Sequence, residues 1–189
     1  MHALSLLADV LKRLAIPYAV GGSLASSARG IVRATFDADI VARVTIFQVN
    51  GLAKELGPDW YADRQQMCDA ITSRRSFNLI HIPSGYKIDI FPASEEFHDR
   101  QLERATLVDI EFAGETTPCP VATAEDILLA KLQWYQAGGS VSERQWNDIA
   151  GVLAVNRDLD FGYINMWAAR LGVAKLLAKA LEDARGSRS

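Results

Sequence analysis

Cysteine is scarce: only Cys68 and Cys119 occur in the 189 residues, far apart and with no Cys or His at metal-ligand spacing. A disulfide framework and a structural zinc site are both poorly supported, and a reducing, cytoplasmic setting is expected. Positive charge is not in excess either. Twenty Lys and Arg stand against 23 Asp and Glu, a formal net charge of -3, so the chain has no global electrostatic grip on nucleic acid or anionic lipid. Any polyanion must be held by a local patch. No run approaches the ~18 apolar residues of a membrane span. The first basic residues, Lys12 and Arg13, follow the first apolar stretch instead of preceding it, so neither export nor membrane anchoring is expected. Finally, His2, His81 and His98 share no spacing with a nucleophile, which argues against a His-assisted hydrolase.

What remains is an ordinary globular composition, 49% hydrophobic with 23% charged residues, enough for a real core at this length. Leu4, Leu7, Val10, Leu11 and Leu14 recur at helical spacing, predicting a helix over 3–15 that stops before Pro17. Tyr18 to Val20 reads as a short strand running into Gly21-Gly22-Ser23, with a short helix over 24–29. Residues 36–42 read as a strand with one polar edge, and Thr45 as the cap of a helix through Leu56. Trp60 to Ala62 reads as a short strand, and Phe77–Ile82 and Tyr86–Phe91 as a hairpin about Pro83-Ser84-Gly85.

Beyond a strand over 107–112 the texture turns helical. Thr123 and Ser142 look like helix starts, the latter within a Ser-x-x-Gln capping box. Gly138-Gly139, residues 156–160 and Gly172 separate four helices. The expectation is an α+β fold: a small mixed sheet backed by helices over 1–120, then a C-terminal helical bundle over 121–189.

Chemistry concentrates in three acids. Asp37 and Asp39, at i and i+2 of one strand, share a face roughly 6–7 Å apart, while Ala38 and Ile40 turn to the core. Asp89, between Ile88 and Ile90, would complete a three-carboxylate cluster from a neighbouring strand ~5 Å away. Such carboxylates resist ionising together unless a divalent cation neutralises them. Mg²⁺ (or Mn²⁺) suits an all-oxygen site that also takes substrate phosphates. Taken alone, the same acids also fit a turn cap, a solvated strand residue and an ion-pair partner. Gly21-Gly22-Ser23 shifts the balance, because a glycine turn opening a helix lets backbone N–H groups and the Ser23 hydroxyl approach phosphate.

These residues resemble the nucleotidyltransferase superfamily typified by DNA polymerase beta: an apolar residue, Gly, Gly or Ser, about ten residues, then Asp-x-Asp on a strand. Val20-Gly21-Gly22-Ser23, the thirteen-residue spacer 24–36 and Phe36-Asp37-Ala38-Asp39-Ile40 fit that pattern. Ile88-Asp89-Ile90 matches the more distant third carboxylate. Arg33-Ala34-Thr35-Phe36-Asp37 is similar to the Arg-x-Thr-x-Asp variant of AbiEii-like minimal nucleotidyltransferases. More loosely, Lys131 resembles the Lys that follows an acidic helix start in those proteins, and Asp148 their later acidic position. The spacer is longer than the usual toxin form, and the basic segment often found before the third carboxylate is not recognisable.

The resemblance implies transfer of a nucleoside monophosphate from an NTP to an acceptor, whether tRNA, a protein side chain or a small molecule. It implies Mg²⁺ or Mn²⁺ held by Asp37, Asp39 and Asp89, and nucleotide contacts from Gly22, Ser23, Lys131 and Asp148. It also implies a cognate antitoxin as partner. From their own chemistry, Arg74 and Lys87 join the nucleotide-binding candidates: Arg74 as a guanidinium able to grip phosphate, Lys87 as a cation sharing the face of Asp89. Solvated loop and surface-pair roles stay open for both. The tryptophans of the helical half read as packing residues, with a minority role for one beside a base. The rival reading is a catalytically inactive interaction or antitoxin module of the same fold; a plain nucleic-acid-binding domain is disfavoured by the net charge.

Overall fold

The structure, a computed structural model, describes residues 3–28, 37–112 and 114–186. In chain order the elements are α1 (Ala3–Arg13), β1 (Tyr18–Val20), α2 (Gly22–Ala28), β2 (Asp37–Ala42), α3 (Ile46–Leu56), β3 (Trp60–Tyr61), α4 (Arg64–Thr72), β4 (Phe77–His81) and β5 (Tyr86–Pro92). There follow α5 (Glu96–Arg104), β6 (Thr106–Phe112), β7 (Glu115–Val121), α6 (Ala124–Ala137), α7 (Glu143–Val155), α8 (Phe161–Arg170) and α9 (Ala174–Gly186).

The seven strands form one mixed sheet in the order β3-β4-β5-β2-β1-β7-β6. β2 is the pivot: it runs antiparallel to β1, with Val20 opposite Ile40, and parallel to β5, with Asp39 opposite Asp89. Alternation then splits the two central strands. Ala38, Ile40, Ile88 and Ile90 are buried with Leu4, Leu7 and Leu11 of α1, Leu52 of α3 and Met67 of α4. The opposite parity (Asp37, Asp39 and Val41 on β2; Lys87, Asp89 and Phe91 on β5) falls on the other face, where α5 and α6 approach.

This is the expected mixed sheet backed by helices, with α6 to α9 clustering at the C-terminal end. Ile127, Leu128 and Leu132 of α6 belong to the same continuous core as the strands. The caps sit where their residue types put them. Thr45 N–H donates to Gln48 Oε1 at 3.0 Å, and the Thr123 and Ser142 hydroxyls accept from Asp126 and Gln145 backbone N–H. No helix among the described residues is long and apolar enough to cross a membrane.

Three elements depart from the sequence expectation. α4 and α5 fall in stretches with no visible period, because each turns only two residues fully inward: Met67 and Ala70, and Phe97 and Gln101. β7 carries Pro118 and Pro120, residues that normally argue against a strand. They are tolerated because β1 pairs with β7 only at Val20 opposite Val121, so most of that edge has no ladder bond to lose.

Candidate active site

The site forms where β1 ends, α2 begins and β2 and β5 lie side by side. Gly21 N–H donates to Asp39 O at 2.8 Å, tying the glycine turn to β2. Gly22 has φ +58°, a conformation that glycine adopts without steric cost, and the Asp39 carboxylate lies directly over it. Asp39 and Asp89 are cross-strand neighbours on adjacent strands, about 4.8 Å apart at the backbone. Asp37 is one residue pair further out, on the same face, and exposed.

Charge is arranged around Asp39. Burial, then the carboxylates of Asp89 and Asp37, push its carboxyl up to about 6, while Lys131 and Lys87 pull it the other way. Lys87 Nζ contacts Asp89 Oδ2 at 2.8 Å, and this hydrogen bond raises the Lys87 ammonium's proton affinity. Lys131, 7% exposed, reaches from α6 to Asp148 of α7, with Nζ to Oδ2 at 3.1 Å.

Ser23, Lys131, Trp134, Ser142, Arg144, Gln145 and Asp148 line a cleft of about 320 Å³. The structure therefore brings Gly22, Ser23, Asp37, Asp39, Lys87, Asp89, Lys131 and Asp148 to one region. Arg74 is the exception. It sits in the turn between α4 and β4, with φ +53°. Phe77 pairs with Ile90 and Ile80 with Lys87, so that turn hangs off the end of β4 opposite the one near Asp37. Its neighbour Arg75 lines a separate depression with Tyr61, Asp63 and Asp69. Arg33, Thr35 and Phe36 of the Arg-x-Thr-x-Asp stretch lie outside the described residues.

Within the acid cluster, Lys87 stands against Asp89. Among the described residues, no group of three or more His, Cys, Asp or Glu side chains stands arranged to hold a metal ion. The donor chemistry still fits a hard divalent cation, because positive charge placed at Asp39 would offset the burial and repulsion that raise it. Asp37 and Asp39 would hold such an ion, with Asp89 beside them on the adjacent strand.

Other cleft residues escaped the sequence reading. Trp134 stacks on Phe91, ring centroids 5.3 Å apart, and lines the cleft. Its spacing of three from Lys131 on one helix was the available signal. Arg144 and Gln145 reach the cleft from the first turn of α7, four and three residues before Asp148. A larger groove of about 740 Å³ among α7, α8 and α9, lined by Leu153, Phe161, Leu181, Arg157 and Arg185, includes none of the acids.

Against known proteins, the overall architecture carries the likeness. An antigenic nucleotidyltransferase-like protein from Paracoccidioides brasiliensis superimposes with a TM-score of 0.52 at 22% identity, over 94% of this chain and 89% of that one. The fold is nucleotidyltransferase-like. The antibiotic-resistance factor ANT(2'')-Ia in solution gives a TM-score of 0.48 at 11% identity, over 98% of this chain and 94% of that one. The crystal structure of ANT(2'')-Ia with adenylyl-2''-tobramycin gives 0.49 at 14%, over 89% and 93%. No protein-family model and no curated protein sequence matches the chain.

Proposed function

We propose that the protein is a metal-dependent nucleotidyltransferase. The observation that carries this reading is the stacking of Asp39 between Gly22 at the start of α2 and Asp89 on the parallel neighbour strand, with Lys131 facing the same carboxylate. A glycine turn, an acid pair and a cleft-facing lysine are what a triphosphate with its cation requires.

In this reading Gly22 and Ser23 hold the β- and γ-phosphates and Lys131 faces the transferring phosphate. Asp37 and Asp39 are the ligands for Mg²⁺ or Mn²⁺, which when bound neutralises charge on the phosphates. The acceptor oxygen attacks the α-phosphorus. The bond to the bridging oxygen breaks, pyrophosphate departs, and the acceptor's proton passes to the Asp89 carboxylate. Lys87 bonds only Oδ2 of Asp89, so Oδ1 can accept that proton, and Lys87 is a partner for the phosphates or the departing pyrophosphate. Most of the chain's contribution is positioning and charge matching.

The acceptor is a tRNA, a protein side chain or a small molecule. A toxin role with a cognate antitoxin is the setting that the AbiEii-like resemblance implies. Calorimetry with each of the four NTPs, with and without Mg²⁺ or Mn²⁺, tests the reading. Metal-dependent binding of at least one NTP is expected, and its absence for all four sinks the enzyme assignment.

A further inference from the structure

Asp39 lines a small cavity of about 40 Å³ together with Gly22, Phe91, Phe97 of α5 and Trp134 of α6. Its walls are largely apolar except for four side chains: Asp39, His98, Gln101 and Gln133. Gln101 is 4% exposed, yet its amide makes no side-chain hydrogen bond with any described residue. A buried amide with two donors and an acceptor is rarely left without partners. Here it opens onto a space large enough for ordered water, which needs roughly 10–15 Å³ of such volume per molecule.

His98 supplies a second donor. Its Nδ1 accepts the Ser94 backbone N–H at 3.3 Å, a contact that in the neutral ring places the proton on Nε2. Burial holds the imidazolium form down, against Glu95 and Asp99, which favour it. Gln133, also without a side-chain partner among the described residues, closes the set from α6. Water here can accept from His98 Nε2–H and from the Gln101 amide, and donate to the Asp39 carboxylate and to the Gln133 carbonyl.

We propose that Gln101, His98 and Gln133 are positioning residues that orient Asp39 through water held in this cavity, so that its other face is presented to the cation. The proposal rests on the nucleotidyltransferase reading for its purpose, though not for the water site itself. Groups that orient a metal ligand from behind commonly govern affinity as strongly as the ligand's own placement.

Two measurements test it. In a metal-free crystal structure of the wild-type protein, ordered solvent should lie within hydrogen-bond distance of Asp39, Gln101 and His98 Nε2; a dry cavity overturns the proposal. In Mn²⁺ titrations followed by the EPR signal of free ion, Gln101→Leu and His98→Phe should each weaken binding roughly 10-fold or more without lowering the melting temperature. His98→Gln, which keeps a donor, should restore most of the affinity. Wild-type affinity in both Gln101→Leu and His98→Phe overturns the positioning role. If the wild-type protein binds no Mn²⁺, the enzyme assignment fails instead, and the crystallographic result alone decides the water site.

Discussion

The carboxylate of Asp39 occupies the space a side chain on Gly22 would need: a Cβ there would stand 2.6 Å from Asp39 Cγ and nearer still to Oδ2. The preceding glycine is different. A Cβ on Gly21 would meet only Asp39 O, at 3.8 Å, an ordinary contact. The two halves of one sequence motif therefore do different work. Gly21 anchors β2 through its N–H, and Gly22 makes room for the acid.

Gly22→Ala is accordingly expected to displace Asp39 and to strain a backbone at φ +58°. The stability cost should exceed about 1 kcal/mol, and Mn²⁺ affinity should collapse. Gly21→Ala should cost less on both counts. Paired denaturant melts and metal titrations of the two variants check this; equal behaviour would mean that the contact between Gly22 and Asp39 is not what the motif provides.

Asp39 also sets a pH dependence. Its carboxyl is raised from 3.8 to about 6 by burial and by Asp89 and Asp37. Between those values the folded state holds more protons than the unfolded one, so stability falls as pH rises through this window. Asp39→Asn should remove the penalty. At pH 8 without metal the variant should be more stable than wild type, by about 3 kcal/mol at the ceiling, and the gain should vanish near pH 3.5. Chemical denaturation at both pH values reads this directly. A variant less stable than wild type at pH 8 would instead assign Asp39 a structural role.

Lys87 holds Asp89 at 2.8 Å and so competes with any cation for it. Lys87→Met should tighten binding of Mn²⁺ alone several-fold, since it removes a positive charge beside the carboxylates. If Lys87 also meets phosphate during transfer, the same variant should bind the metal–NTP complex more weakly. Opposite signs in the two titrations are the expected outcome. A fall in both would mean that Lys87 serves mainly to keep Asp89 in place.

The acid pair and the glycine turn were legible in sequence because their geometry is local: two residues of a strand repeat to one face, and a glycine doublet at a strand end makes a turn. Asp89 was legible because its apolar neighbours announce a strand. What lay beyond reading depends on tertiary packing. Nothing in Glu96–Arg104 announces that Gln101 turns inward beside Asp39, because only Phe97 shares its buried side. Nor does the sequence show that Lys87 spends its charge on Asp89, since both bonding to a neighbour and reaching for phosphate suit a lysine on that face. The position of Arg74 is likewise set by tertiary packing. The turn that carries it leads into β4, where Asn78 pairs with Asp89 and Ile80 with Lys87, a register that the residue types alone do not announce.

Lys131 and Asp148 form an ion pair in which the ammonium is 7% exposed and the carboxylate 21%. The pair joins α6 to α7 while Lys131 also acts on Asp39, so one lysine is shared between a helix contact and the candidate site. Lys131→Met should weaken NTP binding by about 10-fold or more, the worth of one charge-assisted hydrogen bond. It should also strengthen binding of Mn²⁺ alone, since a cation leaves the neighbourhood of Asp39. Asp148→Asn should act differently: it leaves a buried ammonium short of its carboxylate, costing about 1–3 kcal/mol of stability, while the lysine remains available to phosphate and NTP binding is retained. Lys131→Met combined with Asp148→Leu should recover much of the stability without recovering NTP affinity, because the two effects have separate origins. If Lys131→Met leaves NTP affinity unchanged and only lowers the melting temperature, the pair is a helix clamp and both residues leave the site.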